Sequence, residues 1–209
     1  MFSLQTIFGK GDKFYGLLEQ SAEAARDSAK ALHELVTRAD HAPVMAAFAA
    51  ARLREKALAA QISEELVNTF VTALDREDIE ALNSALYKIP KGVEKFAERY
   101  EIVAGRLHDV DFGQRTLVLA RSTEVVVEMI GELRRGLRID PVKKLQDRLQ
   151  TLESEGDRML LAPYRTLYIE SSDAMRAMLA KDLFELLEKA IDRCRDVGNI
   201  VYSIVLKNS

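Results

Sequence analysis

Two groups of acids in the second half of the chain have spacing that could do chemistry. Glu153, Glu155 and Asp157 fall within Leu152-Glu153-Ser154-Glu155-Gly156-Asp157, and Glu185, Glu188, Asp192 and Asp196 recur further on at intervals of three and four. Helical residues four apart share a face, so Glu153 with Asp157 and Glu188 with Asp192 each make an acid-x-x-x-acid pair. Two such helices side by side bring four carboxylates together. Like charges held that close call for a cation, and an all-oxygen donor set suits hard ions such as Mg²⁺, Ca²⁺, Mn²⁺ or ferric iron. The plainer alternative is a solvated helix face whose acids pair with nearby bases. Spacing alone leaves both open.

Other candidates carry less. His33, His41 and His108 are scattered, and none stands three residues after a glutamate as a ferritin-like di-iron site requires. Cys194 lies on an apolar stripe and reads as a small core residue. Asp75-Arg76-Glu77-Asp78 reads as a helix start. Phosphate-cradling glycine loops, HExxH and nucleophile elbows are absent from the sequence.

Helices must position these acids, because apolar residues recur at three and four along nearly the whole chain while strand-like alternation does not. The first is expected over about Asp12 to Thr37, with Phe14, Leu17, Leu18, Ala25, Leu32 and Leu35 on one stripe. Asp40-His41-Ala42-Pro43 breaks it, and a second helix continues to about Phe70. Asp75 caps a third. The second half repeats the plan, with a helix near Gln114 to Leu137, a turn at Asp140-Pro141 and a helix to about Tyr168. A final helix runs from a Ser172-Asp173 cap to Leu206. Pro90 and Pro163 fall inside helices and are expected to kink them. In the last helix Glu188, Asp192 and Asp196 lie opposite the apolar line of Leu183, Leu187, Ala190, Cys194, Val197 and Val201. Gly156 would let a neighbouring backbone approach.

The halves align at an offset of 101, which pairs Leu18 with Leu119, Leu32 with Leu133, Leu66 with Leu167, Leu82 with Leu183, Leu86 with Leu187 and Val103 with Ile204. A shared offset points to an internal duplication, with repeats at 1–106 and 107–209 forming one compact unit. The same offset exposes a difference. Glu153, Glu155 and Asp157 map onto Arg52, Arg54 and Lys56, while Glu188 and Asp192 map onto Tyr87 and Lys91, with Lys88 adjacent. Acids of the second repeat face bases in the first. A cation cluster is not expected there; a basic patch of Arg52, Arg54, Lys56, Lys88 and Lys91 is, suited to an anion, an acidic partner or pairing with its own acids.

Composition sets the frame. Of 209 residues 48% are hydrophobic and 30% charged, a balance too apolar for disorder. A net charge of −3 gives no field towards nucleic acid. The single cysteine forms no internal disulfide, Met1 to Lys13 lacks the pattern of a signal peptide, and the longest apolar run, Val44 to Ala51, is far short of a bilayer span. A cytoplasmic protein is expected.

Asp12-Lys13-Phe14 with Leu17-Leu18-Glu19-Gln20, the stretch Asn68-Thr69-Phe70-Val71-Thr72-Ala73-Leu74-Asp75-Arg76-Glu77-Asp78-Ile79, Leu152 to Asp157, and Lys181 to Glu188 running on to Asp192 and Asp196 together resemble the PhoU-like family of phosphate transport regulators and Pit accessory proteins. The resemblance covers essentially the whole chain. It implies an all-α fold of two tandem three-helix bundles and surface acid-x-x-x-acid motifs that in relatives hold iron or zinc clusters. It also implies a non-enzymatic role beside a low-affinity phosphate permease, at the cytoplasmic face of the inner membrane. Carried over, the metal motif falls on Glu153, Asp157, Glu188 and Asp192, with Glu155 and Asp196 as neighbours; iron, zinc, Mg²⁺, Mn²⁺, Ca²⁺ or no metal at all remain alternatives. The first repeat departs from the pattern, so at most one site survives. Two other readings stand beside regulation: a carboxylate-bridged metal protein or enzyme, and an oligomeric adaptor whose basic first repeat docks on the acidic second repeat of another copy.

Overall fold

The apolar stripes fold into six α-helices. In a computed structural model describing residues 4–38, 42–165 and 173–208 they are α1 (Leu4–Thr37), α2 (Ala42–Asn68), α3 (Arg76–Val103), α4 (Gly113–Arg134), α5 (Ile139–Arg165) and α6 (Ala174–Lys207), with a single 3₁₀ turn at Ala104–Arg106. No strand occurs among the described residues. α1, α2 and α3 pack on one another, as α4 and α6, and α5 and α6, do; α1 then packs on α4 and α3 on α6, joining the halves.

End-to-end contacts fix the directions. Lys207, at the close of α6, donates to Asp78 in the first turn of α3 at 2.7 Å; Arg134, closing α4, reaches Glu19 midway along α1 at 2.9 Å, while Thr116 at the start of α4 meets His33 near the end of α1 at 3.0 Å. Both pairs of helices are therefore antiparallel. Of the offset pairs, Leu18 and Leu119, Leu32 and Leu133, Leu82 and Leu183, and Leu86 and Leu187 are buried on both sides, whereas Val103 is only partly buried and its partner Ile204 fully so. Leu167 lies outside the described residues. One apolar core runs through both halves. At its centre Phe96, Phe112 and Phe184 form a chain of rings, with Phe112 and Phe184 4.8 Å apart between centroids.

Several boundaries differ from expectation. α1 begins eight residues earlier than Asp12, at Leu4. Asp140-Pro141 is not the turn but part of the first turn of α5. The chain reverses just before it, at Gly136 and Leu137, whose φ values are 112° and 53°. The first is a backbone state that glycine reaches without steric cost. Helix assignment continues through Pro90 and through Pro163, so neither residue ends its helix. The Ser172 part of the last cap signal lies outside the described residues, but Asp173 caps as expected, accepting a bond from the Arg176 backbone N–H at 3.0 Å. Asp75 occupies the matching position before α3 without a side-chain cap bond.

The two caps give a comparison. Asp173→Ala should cost about 1 kcal/mol, lowering Tm by roughly 2–4 °C in a chain of this size. Asp75→Ala should stay within about 0.5 kcal/mol. Calorimetry of the two variants checks this, and equal losses would contradict the assignment.

Candidate functional site

The acidic face lies where α5 meets α6. Gly156 permits the contact, since a Cβ there would come within 3.2 Å of Ile191 Cδ1; what approaches is a side chain rather than the expected backbone. Arg195 of α6 sits between the helices, bonded to Glu153 of α5 and 3.7 Å from Asp192. Arg193 lies 3.6 Å from Asp196, Arg121 of α4 lies 4.0 Å from Glu155, and Lys181 pairs with Glu185. Among the described residues no group of three or more His, Cys, Asp or Glu side chains is gathered closely enough to hold a metal ion. The expected four-carboxylate set is thus interleaved with guanidinium groups.

Burial holds the Glu188 carboxyl above its ordinary value, against the pull of Arg115 and with smaller contributions from Asp157, Asp192 and Glu185. Burial again, with Asp157 and Asp196 opposing the pull of Arg195, does the same for Asp192. Cys194 stays inside the core, its thiol pushed up by burial.

Beneath this face lies Arg115, which no acid or base spacing in the sequence singles out. It is 2% exposed, its guanidinium lies 5.6 Å from the Phe184 ring centroid, and none of its three side-chain nitrogens has a hydrogen-bond partner. Desolvation weakens its hold on its proton, while Glu188, Tyr164 and Asp157 strengthen it. It acts as an internal countercharge to the acids above. A signal for it exists in the sequence: Arg115 occupies the apolar register of Phe112, Thr116 and Leu119, and the offset of 101 places it opposite Phe14.

The first repeat solves the same geometry differently. Arg52 is not part of a surface patch. It is 5% exposed, donating from Nη1 to Glu55 at 2.9 Å and from Nε to Glu94 at 3.1 Å, with its guanidinium 4.1 Å from the Tyr87 ring centroid. The positions equivalent to Glu153 and Glu188 therefore touch across α2 and α3, as a cation on an aromatic face. Arg54 is exposed 3.9 Å from Asp27. Lys56, Lys88 and Lys91 are exposed, and Lys88 shares a shallow groove between α3 and α6 with Asp196 of the acidic face.

Glu55 is fully buried, and burial lifts its carboxyl to about 7 against the opposing pull of Arg52. The buried hydroxyl of neighbouring Ser21 also works against this rise.

Against known proteins, no family model matches the chain. Two solved structures it resembles are PhoU-like. A PhoU-like protein from Shewanella oneidensis MR-1 superposes with a TM-score of 0.80 over 92% of this chain and 99% of its own, at 19% identity. A PhoU-like phosphate regulatory protein from the same organism superposes at 0.79 over 93% and 99%, also at 19% identity. The chain has the PhoU-like fold. In sequence it is similar to the UPF0111 protein YkaA of Bacillus subtilis strain 168, 24% identical over 149 residues that make up 70% of this chain and 71% of that protein.

A carboxyl held above its ordinary 4.5 binds its proton more tightly in the folded state. The stability from Glu55 is therefore complete below about 4.5, falls as pH rises towards 7, and levels off beyond it. Glu55→Gln should remove this component. The difference in urea midpoint between wild type and variant, measured from pH 4.5 to 8, should change steadily across that window and be flat above it.

Proposed function

We propose that this chain is a non-enzymatic regulator of inorganic phosphate transport that works by contact with a phosphate permease at the cytoplasmic membrane face. The observation that carries this reading is the likeness, over almost the full length of both chains, to a PhoU-like phosphate regulatory protein. No described helix is long and apolar enough to cross a membrane, which agrees with a partner that binds a transporter rather than forming one. The reading assigns the acidic and basic faces to charge balance and recognition, not to bond-making chemistry. Affinity purification from native membranes should recover a phosphate permease, and deletion of the gene should alter phosphate uptake. Repeated recovery of no such transporter, with unchanged uptake, would remove the basis of the proposal.

A second reading is favoured by the crowding at Glu188 and Asp192. Part-buried carboxylates of two neighbouring helices gain from a cation that replaces lost water, so Glu153, Asp157, Glu188 and Asp192 would take iron, zinc or a divalent hard ion. Binding must draw Glu153 and Asp192 away from Arg195. Protein purified without chelators should then carry stoichiometric metal by elemental analysis. Asp192→Asn should lose it and Arg195→Gln should retain it more tightly; trace metal indifferent to Asp192→Asn would end this reading.

A further inference from the structure

The corner between α2 and α3 holds an aromatic side chain out in water on a fixed backbone. Thr69 and Leu74 are buried and anchor the segment from within. Arg76, the first residue of α3, donates from Nη1 to the Thr69 carbonyl at 2.7 Å and from Nη2 to the Leu66 carbonyl, tying the last turn of α2 to the corner. Thr72 Oγ1 donates to the Leu74 carbonyl at 2.7 Å. Between these ties Phe70 is wholly exposed, Val71 beside it is more than half exposed, and Val67 one turn back is 83% exposed. Scattered surface hydrophobics need no explanation. Three together, one of them a phenylalanine on a braced turn, form a preorganised anchor of the kind that dominates interfaces at small entropic cost.

The surrounding charge identifies the partner. Exposed Glu64, Asp75, Glu77 and Glu80 lie in the flanking turns. Asp75, Glu77 and Asp78 act together on Lys207, which places them at one end of the molecule. Three described bases that contact this corner and its neighbours are engaged: Lys13 by Glu65, Lys207 by Asp78, and Arg76 by the two carbonyls. An acidic rim repels the anionic cytoplasmic leaflet. It also repels the same corner of a second copy. It attracts the Lys- and Arg-rich loops that integral membrane proteins present to the cytoplasm.

We propose that the α2–α3 corner is a docking surface for a basic, apolar cytoplasmic loop of an integral membrane protein, with Phe70 as the anchor and Glu64, Asp75 and Glu77 as the charged rim. This rests on the transport reading for the partner's identity but not for its chemistry. The test places a photoreactive benzoylphenylalanine at position 70 of the full chain in its native cell. The same residue at Ile102, 82% exposed near the far end of α3, serves as control. After irradiation, adducts are mapped by mass spectrometry. The expected adduct is a Lys/Arg-rich loop of an integral membrane protein, with yield falling about tenfold, equivalent to about 1.4 kcal/mol, in the Glu64→Lys, Glu77→Lys double variant. An adduct on a phosphate permease supports both proposals. An adduct on the basic loop of another membrane protein supports the docking surface and defeats the phosphate reading. Adducts only to lipid, to a second copy or to the chain's own N-terminal residues would overturn the docking proposal, as would a yield no higher than at Ile102 or one indifferent to charge reversal. If the permease still co-purifies while position 70 gives no adduct, the docking surface fails and the phosphate reading stands.

Discussion

Neither half of this chain covers its own apolar surface. α1 and α3 pack on α2, yet each also buries residues against the second half, and α4 and α6 do the same in return. Leu18, Leu32, Leu82 and Leu86 and their partners at the offset of 101 are all buried in a cluster to which both halves contribute. A leucine so buried is worth about 1.5–3 kcal/mol. Residues of both halves therefore join one apolar cluster.

Charge is placed within that frame under a second constraint. A buried cation or anion is tolerated only when an opposite charge or a hydrogen bond compensates for lost water. In the first repeat Arg52 meets this condition with Glu55, Glu94 and the Tyr87 ring. In the second the roles are reversed: acids occupy the outer positions, Arg195 lies between them, and Arg115 sits below with an aromatic ring but no hydrogen bond. The first arrangement is nearly self-sufficient. The second leaves Glu188 and Asp192 part-buried, with carboxyls that burial holds above their ordinary values against the pull of Arg115 and Arg195.

How much of this was legible in the sequence follows from the range of the forces involved. Helix existence and type follow from apolar periodicity, a local signal, and the helices agree with it closely except at their ends. The turn after α4 was misplaced because Asp140-Pro141 suits both a turn and a first helical turn; the reversal instead uses Gly136 and Leu137. Asp75 has the composition of a cap, but the corner before α3 is held by the Arg76 side chain, a choice between two donors that composition does not settle. Residue type alone places Arg52 in a surface patch, because bases are usually exposed. Its register, four residues after Phe48 and three before Glu55 on the buried side of α2, carried the opposite information. Arg115 was missed for the same reason. In both cases a charge on an apolar stripe was the available signal, and long-range partners decided its meaning. The pairing of Arg195 with Glu153 joins two helices through side-chain geometry and had no local signature at all.

The antiparallel halves make the chain the covalent equivalent of a two-fold dimer. In a true homodimer every substitution appears twice, so an arginine that neutralises one acidic face would neutralise both. Joining the copies end to end removes that coupling. One repeat was free to close its charged positions around Arg52 while the other kept its carboxylates, and the shared core holds both at no loss of packing. The molecule thereby acquires a direction that a symmetric assembly lacks: its two ends, though built alike, present different chemistry to whatever approaches.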